Sequence, residues 1–207
     1  FDTLIEDEDV YRFINESQET LGLEVKFFKD GRHPWQVFRD ERFIGNSRAP
    51  LCNRVLKREL LERILKSWYP KNDIVLNFGY DASELNRMNK AKTRWTAAGY
   101  DVNFPLVNPP CYDKDSLIKK LEIEGVKIPK LYRTGFLHNN CGGACVQAGI
   151  QQWTKLWFDF PERFLWHEEQ EVLTRDYLNK DVSILRNRTN KTTKPLTLRE
   201  LRFRLEN

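Results

Sequence analysis

The sequence predicts a folded α/β protein, and three observations carry the prediction. A chain of 207 residues with 40% hydrophobic content can bury an ordinary core in one sizeable domain or two small ones. The stretch "DIVLNFGYD" followed by "SELNRMNKAKTRW" gives an apolar run, a stop at Gly79 and a helical pattern, the order of a strand, turn and helix in an α/β unit. From Cys52, "CNRVLKRELLERILKSWY" sets Val55, Leu56, Leu60, Ile64 and Leu65 on one helix face, with charges on the other.

The remaining elements follow in order. The opening "FDTLIED" reads as the end of a strand or a loop, and "EDVYRFINESQETLG" as a helix with Val10, Phe13, Ile14 and Leu21 near a 3.6-residue spacing and Gly22 as its stop. "LEVKFFK" alternates as a strand does. "DGRHPWQVFRDERFIGNSRAP" has turn signals at both ends and a helical stretch between them, a long functional loop or a small helix. "YDVNFPLVNPP" reads as an extended segment closed by two prolines. "DKDSLIKKLEIEG" is a helix capped by Asp113 or Asp115 and ended by Gly125. "GIQQWTKLWFDFP" is a helix burying Ile150, Trp153, Leu156 and Trp157, and "ERFLWHEEQEVLTRDYLNK" is another. The last residues read as a hairpin-like segment and a basic helix capped by Thr197, with Glu200 three positions on. With no internal repeat or obvious linker, residues 1–110 are expected to form an α/β core and 111–207 a cysteine-bearing helical part packed on it as one structural unit.

Lys plus Arg number 34 against 30 Asp plus Glu, a net +4 that does not by itself predict a nucleic-acid partner. The basic residues gather in Arg48 to Arg63, Lys90 to Arg94 and Arg186 to Arg204, which would suit phosphate-bearing ligands on a shared face and otherwise are solvated helix surfaces. No apolar run approaches the roughly 20 residues of a membrane span, and the N-terminus has no basic-then-apolar signal, so a cytoplasmic protein with no membrane partner is expected. The chain begins with Phe, and its sole methionine is Met88, so a missing N-terminal piece is expected.

Four cysteines are too few for a disulfide scaffold. "HNNCGGACVQAG" holds two of them, and the glycines inside "CGGAC" let the backbone turn tightly enough for Cys141 and Cys145 to point at one ion or cluster. The alternative is a pair of buried small residues opening a helix. Structural zinc usually takes four ligands, so further donors would come from Cys52, Cys111, His138 or an outside molecule. Cys52 stands at the start of a basic helix, where the dipole with Arg48, Arg54 and Lys57 is expected to favour thiolate. Three thiolates with an open position would suit an iron–sulfur cluster able to bind sulfur or substrate at its unique iron. Cys111, after two prolines, is expected beside the site or on the surface. His138 and the Asn139–Asn140 pair read as turn and capping groups or as ligands, His167 as a helix residue beside acidic neighbours, and His33 as a loop residue within reach of a phosphate or base.

"FDTLIEDEDVYRF", "LCNRVLKREL", "GYDASELNR" and "GFLHNNCGGACVQAG", in that order, resemble the phosphoadenosine phosphosulfate (PAPS) reductase-like group of the adenine nucleotide alpha-hydrolase, or N-type ATP pyrophosphatase, superfamily, and look closest to members found in phage and bacterial genomes. The resemblance covers nearly the whole chain. It implies a Rossmann-like, HUP-type parallel sheet flanked by helices, with a helical C-terminal part and the nucleotide-binding core within residues 1–110. It places Asp2, Thr3 and Glu6 beside an adenine nucleotide, ATP or PAPS, and has Gly79, Asp81, Glu84 and Arg87 line the same pocket. With the basic helix it adds Lys57, facing phosphates as Arg87 would. Cys52, Cys141 and Cys145 match the cysteines that carry a [4Fe-4S] cluster in some members; zinc is the other metal these thiols would take. Magnesium would accompany ATP.

The implied activity is nucleotide-dependent sulfur metabolism: sulfonucleotide reduction with a thioredoxin-like reductant, or ATP-using sulfur transfer in which adenylation activates an oxygen and sulfur displaces AMP. An RNA or DNA substrate would meet the C-terminal basic segments. The other expectation is a catalytically inactive nucleotide- or nucleic-acid-binding module with a structural metal. Two departures qualify the resemblance. The family's Ser-Gly-Gly-x-x-Ser phosphate turn belongs before position 1, so poor nucleotide binding is expected unless a longer chain or a second chain supplies it. No cysteine follows Cys145, whereas assimilatory PAPS reductases carry a nucleophilic one near their C-terminus.

Overall fold

The computed structural model describes residues 1–68, 74–189 and 192–207. The chain divides into two compact units, one made of Phe1–Leu60 with Pro129–Asn207, the other of Leu61–Ile128. The second is therefore an insertion within the first, where the sequence suggested a division after residue 110.

In the first unit, α1 (Glu8–Leu21) starts where the Asp7 carboxylate accepts from the Asp9 amide at 3.0 Å and stops at Gly22, whose φ of 63° only glycine adopts cheaply. Leu21, one of the residues at the 3.6-residue spacing, is 66% exposed. The expected strand at "LEVKFFK" stays unladdered among the described residues, its one bridge there being a parallel one between Asp2 and Lys29. A short helix, α2 (Pro34–Asp40), occupies the long loop and buries Trp35, Val37 and Phe38. The amphipathic run begins as α3 (Leu51–Asn53), widens into a π-helical segment (Arg54–Glu59) and continues as α4 (Leu60–Trp68), which enters the second unit. Tyr69, its expected last residue, lies outside the described residues.

The rest of the first unit is a helical layer closed by a hairpin. It comprises α7 (Lys130–Arg133), α8 (Ile150–Asp159), α9 (Pro161–Leu178), the antiparallel pair β3 (Leu185–Thr189) and β4 (Thr192–Leu196), and α10 (Leu198–Glu206). Pro161 opens α9, where its missing amide costs nothing, and Asn179 at φ 49° closes it. Trp35, Phe38, Leu56, Trp153, Leu156 and Phe164 form the core between α2, the π segment, α8 and α9. Ile150, expected in that core, is 40% exposed because the buried stripe of α8 runs through Gln152, Trp153 and Leu156 instead.

Two polar side chains tie the hairpin and α10 to α9. Glu171, 1% exposed, accepts from the Ile184 amide at 3.1 Å and the Leu198 amide at 2.6 Å. Glu168 takes Arg202 at 2.8 Å and Arg199 at 3.4 Å. Thr197 and Glu200 cap α10 reciprocally, as the sequence spacing predicts.

In the second unit β1 (Val75–Asn77) pairs in parallel with β2 (Asp101–Asn103), the crossover being a 3₁₀ turn (Ala82–Glu84) and α5 (Leu85–Ala97). This strand, helix and parallel strand is the unit that "DIVLNFGYD" and its successors predict. Asp73, the first residue of that stretch, lies outside the described residues. Leu65, Trp95 and Tyr100 form its small core, with Leu76, Phe78 and Val102 against them. Asp113 caps α6 (Lys114–Ile123). The fold is thus mixed and mostly helical, with a two-stranded parallel sheet and a separate hairpin among the described residues. No described helix is long and apolar enough to cross a membrane.

Candidate thiol site

The turn at Cys141 builds the site. Cys141, Gly142 and Gly143 follow one another at φ 54°, 60° and 87°, a left-handed run whose two later positions glycine tolerates and whose first costs a non-glycine residue roughly 1 kcal/mol. Contacts from distant elements hold it. Glu6 accepts from the Cys141 amide at 2.6 Å and from the Thr3 hydroxyl at 2.8 Å, and the Thr3 hydroxyl lies 3.8 Å from the Cys141 sulfur. Arg163, from α9, donates to the Gly142 carbonyl at 2.7 Å while pairing with the buried Asp7 at 2.9 Å. Gln152, from α8, donates to the Gly143 carbonyl at 2.7 Å. A Cβ at Gly142 would stand 3.1 Å from the Ile5 carbonyl oxygen, and one at Gly143 2.9 Å from the Phe136 ring, so both glycines are required sterically as well.

This geometry brings the Cys141 and Cys145 thiols into hydrogen-bond contact, with Cys52 close enough for its ionisation to feel Cys145. Lys57, one turn on from Cys52, faces all three sulfurs electrostatically, and Glu6 faces Cys141 and Cys145. The ionisation order differs from the sequence expectation. Burial pushes Cys52 up to about 11, the neighbouring Cys145 adding to it, and Lys57 offsets only part. Arg54, counted as a helper, is engaged by Glu41 at 3.0 Å and Glu59 at 3.4 Å. The acidic thiol is Cys145, drawn down to about 7 by the hydrogen bond from Cys141 against the cost of burial, with Lys57 assisting. Cys141 stays a thiol, held well above the ordinary value by that hydrogen bond, by burial and by Glu6. One partly buried thiolate thus rests on a buried thiol donor beside a lysine and a third thiol. Such a group can attack an electrophilic sulfur or carry one.

A cavity of about 350 Å³ lies beside the site, lined by Asp2, Glu6, Tyr11, Lys57, Tyr132 and Asn139 among others. Asp2 is braced on its own loop, accepting from the Leu4 amide at 2.8 Å and the Tyr11 hydroxyl at 2.9 Å. The buried Asn139 side-chain oxygen has no hydrogen-bond partner among the described residues. Of the residues expected to meet nucleotide, Asp2, Glu6 and Lys57 line this cavity, while Thr3 is turned to Glu6 and Cys141.

Gly79, Asp81, Glu84 and Arg87 belong to the second unit. There Asp81 caps the 3₁₀ turn through the Ser83 amide at 2.8 Å, Glu84 pairs with Arg87, and Arg87 lies 5.2 Å over the Tyr80 ring. Tyr80, Phe78 and Phe104 form a ring cluster just past the ends of β1 and β2, with centroids 5.9 to 6.2 Å apart. Cys111 is exposed in the same unit, donating to the Val107 carbonyl. His138 offers its carbonyl to Gln152, and His33 opens α2 with its amide on Gln36. His167 is buried and accepts from the Trp35 indole at 2.9 Å.

Among the described residues no group of three or more His, Cys, Asp or Glu side chains is arranged to hold a metal ion. The thiols supply the donor type for a cluster or zinc, and Cys141 and Cys145 are in mutual hydrogen-bond contact.

Fold and site together define a mostly helical α/β protein of two units, the first carrying the Cys141–Cys145 turn and the buried Cys52 thiol. No family model, no curated protein and no solved structure matches the chain.

Proposed function

We propose that this chain acts in nucleotide-dependent sulfur metabolism, in the manner of PAPS reductases or of ATP-using sulfurtransferases, with Cys52, Cys141 and Cys145 as the sulfur-handling group. The observation that carries this is the convergence of thiols from residues 52, 141 and 145 beside Lys57 and Glu6, at a turn held by Thr3, Gln152 and Arg163. So many distant contacts on one strained turn are more than a pair of buried small residues needs. Cys145 is the nucleophile in this reading, Cys141 its hydrogen-bond donor, and Lys57 the cation that faces an anionic ligand in the adjoining cavity.

The second unit supports the nucleotide half. Its β1–α5–β2 segment is read as part of a Rossmann-like, HUP-type sheet, and Gly79 to Arg87 follows the carboxyl end of β1, where open parallel sheets take their ligands. Tyr80 with Arg87 offers a stacking face for a base. An iron–sulfur cluster or zinc on the thiols and magnesium with ATP are parts of the proposal, and no step is routed through them. A thioredoxin-like reductant, an RNA or DNA acceptor, and the cytoplasm as the setting belong to it likewise.

The test is anaerobic purification with iron, sulfide and zinc analysis and equilibrium dialysis against ATP and PAPS. It is run on the wild type and on Cys52→Ala, Cys141→Ala, Cys145→Ala and Lys57→Gln. Bound metal or sulfide lost in each thiol variant, with nucleotide binding weakened by Lys57→Gln, is expected. A metal-free, sulfide-free protein that binds neither nucleotide, and whose variants behave as wild type, sinks the proposal.

A further inference from the structure

The C-terminal basic segment is not uniform in its pairing. Arg199 and Arg202 are held by Glu168, and Arg202 also by Glu206 at 3.1 Å. On β3, by contrast, Arg186 and Arg188 form no ion pair or side-chain hydrogen bond among the described residues. They lie two positions apart on one strand and therefore share a face. Both line a cavity of about 400 Å³ whose other walls include Ser47, Gln147, Gly149 and Asn187.

The charge of this cavity sets it apart. The thiol-side cavity has Asp2 and Glu6 against Lys26 and Lys57, and a third cavity of about 420 Å³ has Glu41 against Arg54 and Arg58. No Asp or Glu lines the cavity at β3, and its neutral polar groups are two carboxamides and a hydroxyl, which can donate to an anion. Two guanidinium groups with no internal counter-charge, on one face of a ladder-held strand, form a fork suited to phosphate oxygens. The apolar part of the wall, Ala148, Ile150, Ile184 and Leu185, and a volume well beyond one phosphate group leave room for the organic part of an ester.

We infer that the cavity walled by Arg186 and Arg188 is a binding site for a phosphate ester of nucleotide size, separate from the thiol site and independent of the sulfur proposal. The phosphate would take the arginine fork, Ser47 and Gln147 would complete its hydrogen bonds, and the ester group would lie on the apolar wall. A free mononucleotide and a nucleotide within a single strand present the same chemistry.

Equilibrium binding of inorganic phosphate, AMP and a short single-stranded oligonucleotide, measured across a salt series, distinguishes them. Wild type, Arg186→Gln, Arg188→Gln, the double variant and Arg188→Lys are compared, with Lys57→Gln as the control for the thiol-side cavity and thermal melts to confirm folding. AMP binding weakened about tenfold or more by the double variant, partly kept by Arg188→Lys and untouched by Lys57→Gln, establishes a mononucleotide site. Binding of the oligonucleotide alone, weakened in the same way and with a shallower salt dependence in each arginine variant, supports the same site with a nucleic-acid source. Binding of none of the probes, or binding that the double variant leaves unchanged, overturns the inference.

Discussion

Glu171 gives the sharpest test of how the C-terminal hairpin and α10 are held. Its carboxylate is 1% exposed and spans the Ile184 and Leu198 amides, yet burial outweighs those two hydrogen bonds and raises its pKa from 4.5 to about 7. A raised acid pKa means that the unfolded chain releases this proton earlier than the folded one. The contribution of Glu171 to stability is therefore full below 4.5 and is lost as pH rises through about 7. At about 1.4 kcal/mol per pH unit, the gap from 4.5 to about 7 amounts to ~3 kcal/mol. Glu171→Gln removes the titration but sets an amide N–H₂ against one backbone N–H, a loss of roughly 1–3 kcal/mol at every pH. Denaturant melts of both proteins from about pH 5 to about pH 8 should thus show the variant less stable at the acid end, the deficit shrinking or reversing by up to ~3 kcal/mol at the alkaline end. Other titrating groups are common to both proteins and cancel. A difference that stays constant within about 0.5 kcal/mol across the range would refute the assignment of the shift to Glu171.

Two further outcomes follow from the packing. Gly143→Ala places a methyl 2.9 Å from the Phe136 ring at φ 87°, and the combined strain should cost about 2–4 kcal/mol in a chemical melt; a loss below about 1 kcal/mol would mean the turn is not held as described. Burial lowers the His167 pKa to about 3, so its share of stability is full above 6.5 and is lost as pH falls toward 3. The loss reaches ~2 kcal/mol by about pH 5, and an imidazole seen by NMR to titrate above about pH 6 would contradict this.

Local chemistry made much of the first layer legible. The Asp113 and Thr197–Glu200 caps, the Gly22 stop and the β1–α5–β2 order are encoded within a few residues each, and the structure keeps them. What depends on distant neighbours was not legible. Alternation in "LEVKFFK" specifies a strand-like face but no partner, and among the described residues only the Asp2–Lys29 bridge forms. The basic sequence around Cys52 suggested a thiolate, whereas burial by the core, with the neighbouring Cys145 adding to it, sets the opposite direction. Arg163, Asp7 and Gln152 escaped notice because an arginine, a helix cap and an amide aimed at a remote carbonyl leave no spacing signal of their own. Their one trace was the double glycine, which announced a backbone that something must grip. The inserted second unit was equally hidden, since α4 runs from one unit into the other with no break in its amphipathic pattern.

The central claim, that the thiols form one reactive group with Cys145 as its acidic member, is tested most directly by mass-spectrometric mapping of alkylation rates against pH in the wild type and in Cys141→Ala. Cys145 is expected to react with a midpoint at about 7 and well ahead of Cys52, whose midpoint is expected at about 11. Removing the Cys141 hydrogen bond should move the Cys145 midpoint up toward that of an ordinary thiol, about 8.5. Cys52 reacting first, or a Cys145 midpoint that Cys141→Ala leaves unmoved, would contradict it.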